Sequence, residues 1–247
     1  MENREIYRAH YGAGLVTAHL CHGETDLAIC LPAGVWQPKL AAALSAHIVE
    51  LRGLLLAYIA QDPAFAASHA PYKPYTGAPA IAQAMAQAAT LAGVGPTAAV
   101  AGAFAQAAGG FLTAHSTEVI VENGGDIYLS TTKDRIVGIY AGPHNPYTGR
   151  LGIKIAAAQQ PLGVCTSSGT VGPSFSYGKA DAAVVLAADA LFADAAATAL
   201  GNRVQGPQDV GPAVGYISAL PGIRGALAIC GEALAAWGEV ELIDLSS

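Results

Sequence analysis

Three short segments of the sequence carry residue types that could hold a phosphate group and a divalent cation. The first is a turn made of Asn123, Gly124, Gly125 and Asp126, which lies between two β-branched runs. Its paired glycines permit positive φ angles, and successive backbone N–H groups in such a turn can bind phosphate. The same four residues also suit an ordinary tight β-hairpin, so the local sequence leaves both interpretations open.

The second segment, which we call the hydroxyl loop, consists of Thr166, Ser167, Ser168 and Gly169 and follows a predicted strand. Hydroxyl groups and backbone N–H groups at the end of a strand can bind phosphate or ribose oxygens. The segment lacks the Gly-Lys-Ser/Thr ending of a P-loop. A solvated surface loop is the alternative interpretation.

The third segment is an alanine-rich helix that carries Asp194 and Thr198. Their spacing of four residues places both side chains on one face of the helix. A carboxylate and a hydroxyl are hard oxygen ligands that suit Mg²⁺ when substrate phosphates complete its coordination. A plain polar stripe on a helix is the alternative.

The elements that must position these segments change type along the chain. The first half is mostly apolar helix, whereas short β-branched runs separated by turn residues dominate the second half. This order favours an α+β fold, with helices packed on a mainly antiparallel or mixed sheet, in a single domain over residues 1–247.

Thr97 is the expected N-cap of the third helix, and Gly109-Gly110 its expected end. Predicted helices cover residues 38–60, 81–91, 98–108 and 191–200; predicted strands lie in 6–30 (with 15–18 and 27–30 as their clearest runs), 118–122, 127–131, 136–140, 151–156, 162–165, 182–187, 225–230 and 240–245.

The composition excludes several classes of protein. The twelve Lys and Arg residues are scattered in a chain of net charge −6, so the basic stripe of a nucleic-acid-binding protein is missing. Apolar stretches are interrupted before they reach the about 20 residues of a membrane span. The four cysteines are dispersed and no signal peptide is visible, which favours free thiols and a cytoplasmic location.

Taken in chain order, the three segments resemble motifs of the ApbE superfamily, the FAD:protein FMN transferases. The resemblance is stronger to a non-lipoprotein branch of that superfamily, and the runs at residues 23–29, 98–106 and 193–202 contribute to it. It implies an ApbE-like α+β fold that binds FAD in a cleft with Mg²⁺ on the pyrophosphate. By the same resemblance, Asp194 and Thr198 would be metal ligands, and the 123–126 turn and the hydroxyl loop would line the cofactor.

Two departures from the family pattern concern catalysis. The family's histidine motif follows the hydroxyl loop, but here residues 173–181 contain no histidine. A similar run at 144–149 precedes the loop, and we interpret it as a surface loop. Gly102 also stands where relatives have a lysine. The candidate substitutes for the missing histidine are Tyr177, Lys179 and Asp181, together with Ser176.

Two functions therefore stay open. The chain is either a Mg²⁺-dependent enzyme that cleaves FAD or transfers FMN, or a binding module that carries or senses a flavin or another phosphorylated ligand. Loss of the histidine predicts weak transfer of FMN to protein. The expected partner is a flavin nucleotide, with an acceptor protein and a homodimer left open, and with neither nucleic acid nor a membrane.

Overall fold

A computed structural model describes residues 12–170 and 177–246 of the chain. The main feature is an eight-stranded sheet with the order β1-β2-β3-β4-β7-β8-β9-β10, in which every pair of neighbours is antiparallel. A second sheet has three antiparallel strands in the order β11-β6-β5. The strands are β1 (Val16–His22), β2 (Thr25–Leu31), β3 (Val119–Asn123), β4 (Asp126–Ser130), β5 (Arg135–Gly138), β6 (Leu151–Ile155), β7 (Leu162–Ser167), β8 (Ala182–Ala187), β9 (Ile223–Cys230), β10 (Ala233–Gly238) and β11 (Glu241–Asp244).

The helices pack on one face of the large sheet, and the small sheet covers the opposite face. Strand β8 shows this division, because Ala183 and Val185 contact the helical core while Val184 and Leu186 contact the core under the small sheet. Such a sandwich of helices, sheet and sheet confirms the predicted α+β class. The helices are α1 (Pro38–Gln61), α2 (Pro63–Ala67), α3 (Ala80–Ala92), α4 (Val100–Thr113), α5 (Ala190–Arg203) and α6 (Val210–Ser218), with short 3-10 turns at Pro96–Ala99, Ala157–Gln159 and Pro207–Asp209.

Helix α5 lies close to its neighbours because glycine leaves no side chain, and alanine only a methyl group, between the backbones. A Cβ atom on Gly163 of β7 would lie 2.5 Å from the Cα of Ala190, at the start of α5. Most residues of α5 are buried, and most of these are alanine. The helix that carries Asp194 is thus held directly against the sheet.

Helix α1 is the longest helix of the described chain, with 24 residues. By length and mean hydropathy (1.6) it could cross a membrane, and α3 with Pro96–Thr113 would be a second span if the two were counted as one broken helix. Leu44, Ile48 and Leu55 of α1 are buried in the helical core. One face of α1 therefore packs on the protein, and the absence of a membrane partner stays a prediction.

Several predicted boundaries were wrong. Thr97 is not an N-cap, because a 3-10 turn covers Pro96–Ala99 and α4 begins at Val100. Helix α4 also continues through the two glycines to Thr113. Its Gly109 is required by packing, since a Cβ there would lie 2.0 Å from the ring of Tyr128.

Three helices or strands were not predicted at all, namely the short helix α2, helix α6 and strand β10. Helix α6 contains Gly211 and Pro212, which read as helix breakers, although proline is tolerated in a first turn. Strand β10 is alanine-rich and half exposed, so its sequence pattern is weak. The part of the predicted β-region that begins at residue 6 lies outside the described residues, as does Ser176.

The adjacent glycines of α4 give a matched test of this packing. Gly109→Ala should lower the free energy of unfolding by about 1–3 kcal/mol, because the new methyl group overlaps the Tyr128 ring. Gly110→Ala should raise it by about 0.5–1 kcal/mol, because nothing lies within 4 Å of the added Cβ and alanine favours helix. Urea denaturation of both variants measures the difference. Equal effects at the two positions would show that α4 does not pack on β4 as described.

Candidate functional site

The 123–126 turn is a tight hairpin between β3 and β4, and it also faces the hydroxyl loop. Asn123 and Asp126 pair across the turn, while Gly124 and Gly125 have φ angles of 67° and 105°. Asp126 Oδ1 accepts a hydrogen bond from the backbone N–H of Thr166 at 3.3 Å. The hairpin interpretation is therefore confirmed, and the turn lies beside the hydroxyl loop, whereas phosphate binding by the turn stays a prediction.

The side chains of Glu122, just before the turn, and of Asn123 within it make hydrogen bonds that fix the shape of the turn. Glu122 Oε1 accepts a hydrogen bond from Gly125 N–H at 2.7 Å, and Asn123 Nδ2 donates to the Ala101 carbonyl of α4 at 3.1 Å. The backbone N–H of Gly125 is therefore already engaged by a carboxylate. The role of the turn in lining a cofactor stays a prediction, and Glu122 is a buried participant that sequence reasoning missed.

The hydroxyl loop is partly strand. Thr166 and Ser167 are the last residues of β7, which runs two residues further than predicted. Ser168 lies in the turn beyond it, where its hydroxyl accepts a hydrogen bond from the Thr170 N–H at 3.1 Å. Thr166, Ser167 and Ser168 are half-buried, and Gly169 is exposed. The three hydroxyl side chains are thus partly accessible to a ligand, and cofactor binding by the hydroxyl loop stays a prediction.

Asp194 projects from α5 into the contact with α4. Its Oδ2 atom accepts a hydrogen bond from the backbone N–H of Gly102 at 2.8 Å. A Cβ on Gly102 would lie 2.3 Å from the Ala190 carbonyl oxygen and 2.8 Å from the Asp194 Cβ. The position of Gly102 therefore has no room for a side chain in this protein.

The start of α5 is anchored by two polar side chains. Asp189 caps the helix by accepting a hydrogen bond from the Leu191 N–H at 2.7 Å. Gln106 of α4 accepts another from the Ala190 N–H at 3.0 Å. These bonds hold α5 in register with α4, and Gln106 is a supporting residue that the motif search did not single out.

Asp126, Asp194 and Cys165 form a buried acidic cluster. Burial raises the pKa of Asp194 to about 7. Burial and then the charge of Asp194 raise the pKa of Asp126 well above its ordinary value, and burial followed by the charge of Asp126 raises the pKa of the Cys165 thiol. A bound cation would offset this repulsion between the two carboxylates.

The donor set around Asp194 fits a hard cation of the Mg²⁺ type. Thr198 is half-buried and lies one helical turn further along α5, on the same face. Within residues 12–170 and 177–246, no group of three or more His, Cys, Asp or Glu side chains could hold a metal ion. Such a site would use few protein ligands, as Mg²⁺ sites completed by water and substrate phosphates do. The ligand roles of Asp194 and Thr198 stay predictions.

Two of the candidate substitutes for the histidine lie beside the hydroxyl loop. Tyr177 is exposed, and its backbone N–H donates to Asn202 Oδ1 at 3.0 Å. Lys179 is exposed as well, and its backbone N–H donates to the Val204 carbonyl at 2.7 Å. Both side chains are accessible, and their catalytic roles stay predictions.

Asp181, the third candidate, makes hydrogen bonds with residues from three separate parts of the chain. Its carboxylate accepts hydrogen bonds from Thr170 Oγ1 at 3.0 Å, from Asn145 Nδ2 at 3.1 Å and from the Gly231 N–H at 2.7 Å. These bonds give Asp181 a structural role next to the 144–149 run. His144 itself is exposed on this run, as expected of a surface loop.

A separate open groove of about 730 Å³ lies between α3 and the proline-rich segment before it. Tyr72, Tyr75 and Gln87 are among its lining residues. None of the predicted site residues lines this groove. The acidic cluster and the groove are therefore different places on the molecule.

Comparison with known proteins identifies the class of fold. The ApbE protein of Thermotoga maritima superimposes with a TM-score of 0.54 at 14% identity, covering 91% of this chain and 96% of that one. The apo flavinyl transferase ApbE of Pseudomonas stutzeri gives a TM-score of 0.49 at 12% identity, covering 90% and 94%. The first of these comparisons defines an α+β protein with the ApbE fold.

Sequence comparison then gives the family. A family model described as "AbpE bacteria" matches residues 8–215. A UPF0280 protein of Methanocella arvoryzae is 43% identical over 197 residues, which cover 79% of this chain and 80% of the relative. The chain belongs to this ApbE-like family, as the ordered motifs indicated.

The acidic cluster predicts an unusual pH dependence of stability in metal-free buffer. Because the folded-state pKa of Asp194 is raised to about 7, folding disfavours its charged form. Its contribution to the free energy of unfolding should fall as the pH rises from about 4 to 7 and stay low above that range. Asp194→Asn should therefore be more stable than the parent protein at pH 8, by on the order of 2–4 kcal/mol, with a flatter pH profile.

Thermal unfolding between pH 4 and 8 in the presence of a chelator measures this effect. Glu50→Gln is the control, since Glu50 is exposed on α1 and its loss should leave the profile unchanged. An Asp194→Asn protein that is less stable than its parent at pH 8 would contradict the raised pKa.

Proposed function

We propose that this protein binds FAD together with Mg²⁺ and cleaves or transfers at the FAD pyrophosphate. The observation that carries the proposal is the buried pair Asp126 and Asp194, placed next to the hydroxyl loop on an ApbE fold. Two carboxylates in a low-dielectric site attract a divalent cation, and a diphosphate supplies the oxygens that complete its coordination. Membership of an ApbE-like family supports FAD as the diphosphate.

The residues of this site would have two roles, namely ligation of the cation and binding of the phosphate or ribose groups of the ligand. Asp194, fixed by the Gly102 N–H, and Thr198 would ligate the cation. Asp126 holds the hydroxyl loop through the Thr166 N–H, and the half-buried hydroxyls of this loop would bind phosphate or ribose. A bound Mg²⁺ would supply charge neutralisation on the leaving phosphate. The FMN group would pass to water or to a protein hydroxyl.

A second candidate function is a flavin-binding module without catalysis. Gly102 favours it, because close packing against α5 excludes the lysine that the family resemblance implies at this position. The absence of a histidine from residues 173–181 also favours a flavin-binding module without catalysis. The two functions differ in one product, since only the enzyme releases AMP from FAD.

Replacing the predicted metal ligands tests the shared part of both functions. Asp194→Ala and Thr198→Val should each weaken FAD binding at least about tenfold in Mg²⁺ and reduce its dependence on the cation, because a ligand to the cation is lost. Calorimetric titration with FAD, with and without Mg²⁺, measures both quantities.

The controls remove a threonine hydroxyl and a carboxylate at exposed helical positions outside the predicted site. Thr90→Val changes a helical threonine of α3, and Glu50→Ala removes a carboxylate on the exposed face of α1. Both should bind FAD like the parent protein. Unchanged Mg²⁺ dependence in Asp194→Ala would refute the assigned metal site. AMP detected by chromatography after incubation with FAD would favour the enzyme over the binding module.

A further inference from the structure

Helix α1 has a second apolar face, which points away from the protein. Its buried residues Leu44, Ile48 and Leu55 pack in the helical core. The opposite face is exposed and consists of aliphatic residues and glycine, namely Ala42, Ala46, Val49, Gly53, Leu56 and Ala60. We call these six residues the outer seam. The outward face of a surface helix normally carries polar side chains, so the outer seam requires an explanation.

The outer seam has the spacing of a helix that pairs with another helix. Its successive members are separated by four, three, four, three and four residues. This alternation is that of the a and d positions of a heptad, and it keeps the seam on one side of the helix. Val49 and Leu56 are 41% and 55% exposed. A continuous exposed apolar stripe, unlike scattered apolar residues, marks a site of contact with another molecule.

The charged groups of α1 lie away from the outer seam. Arg52 turns to the β1–β2 hairpin, where it donates to Thr25 Oγ1 at 2.7 Å and forms an ion pair with Glu24. The sequence from residue 53 to residue 60 contains no charged side chain. Another molecule could therefore cover this half of the seam without burying a charge.

We propose that the outer seam is the interface of a homodimer, in which two copies of α1 pack antiparallel about a two-fold axis at residue 51. This inference goes beyond the proposed function and does not depend on it. The axis sets a large residue against a small one in two layers and alanine against alanine in the third, namely Leu56 with Ala46, Val49 with Gly53, and Ala42 with Ala60. The seam is thus complementary to itself, as a two-fold interface requires. Antiparallel helix dipoles also attract each other.

The composition of the seam favours a second copy over a lipid surface. A helix that lies in a membrane interface carries Trp, Phe or Leu on its apolar face and many Lys or Arg residues on its polar face. Alanine and glycine occupy four of the six seam positions, and Arg52 is engaged by Glu24. Small residues offer little apolar area to lipid, whereas they allow two helices to approach closely.

The dimer should be weak and dependent on concentration. A helix of 24 residues is about 36 Å long and 10–12 Å wide, so its outer face offers roughly 400 Å² on each copy. This area is about half of the roughly 800 Å² per partner of a stable complex. Glu50 lies beside the axis, where the two copies of its carboxylate would repel each other. The single chain should therefore stay folded when the dimer dissociates.

Sedimentation velocity of the full chain, from about 5 to about 500 µM, tests the interface over the range expected of a weak complex. The average mass should rise from that of the 24.9 kDa chain toward twice this value. Ala46→Leu sets leucine against leucine, and Leu56→Ala leaves a gap, so each should weaken association at least about tenfold. The double variant restores a large residue opposite a small one and should return the affinity to within about threefold of the parent.

These substitutions suit the test because both positions are exposed, and alanine and leucine are both good helix formers. The single chain should therefore fold in every variant, which circular dichroism checks. Leu91→Ala is the control, since Leu91 is an exposed leucine of α3 outside the seam. Its association should equal that of the parent.

Cross-linking tests the antiparallel direction. In a Cys21→Ser background, which removes the exposed thiol, a mixture of Ala42→Cys and Ala60→Cys chains should form a disulfide between copies. Ala42→Cys chains alone should not, because their two thiols would lie about 27 Å apart along the helix. Non-reducing electrophoresis separates the two results, and cross-linking of Ala42→Cys chains alone would overturn the arrangement.

The other outcomes are equally distinct. A parent protein that stays monomeric at the highest concentration would overturn the proposal, as would stronger association of Ala46→Leu, which would indicate non-specific apolar contact. A monomer that floats with vesicles of phosphatidylcholine and phosphatidylglycerol would assign the seam to a membrane instead. Leu56→Ala should bind FAD like the parent, because none of the predicted site residues lies on α1. Failure of the dimer therefore leaves the proposed function standing, and failure of FAD binding leaves the dimer standing.

Discussion

The close contact between helix α5 and its two neighbours, β7 and α4, is the constraint on which the site depends. Gly163 on β7 and Gly102 on α4 allow the α5 backbone to approach within distances that any Cβ would forbid. This approach carries Asp194 into the interior, where its carboxylate meets the Gly102 N–H and the charge of Asp126. The interior thus contains two acidic groups whose charged forms burial disfavours.

This arrangement explains why the alanine-rich composition and the acidic cluster occur together. Large side chains on α5 would move the helix away from the sheet and return Asp194 to solvent, where its pKa would approach the ordinary value. The cost of burying Asp126 and Asp194 is reduced whenever a cation binds between protein and phosphate. Stability and cation binding would thereby be linked through the same two carboxylates.

Much of the fold was predictable, because strand and helix signals in the second half of the chain are local. The β3–β4 hairpin follows from Asn-Gly-Gly-Asp, and α5 from its alanine run. The lining of the site was less predictable, since the hydrogen bond between Asp126 and Thr166 spans 40 residues and the contact of Gly102 with Asp194 spans 92.

The central claim is that Asp194 and Thr198 hold a divalent cation on the diphosphate of FAD. Anomalous diffraction from crystals grown with FAD and Mn²⁺, an oxygen-seeking substitute for Mg²⁺, tests it most directly. The account predicts one strong peak in contact with the Asp194 carboxylate, the Thr198 hydroxyl and phosphate oxygens of FAD. FAD bound in the groove beside α3, or Mn²⁺ bound away from Asp194, would contradict it.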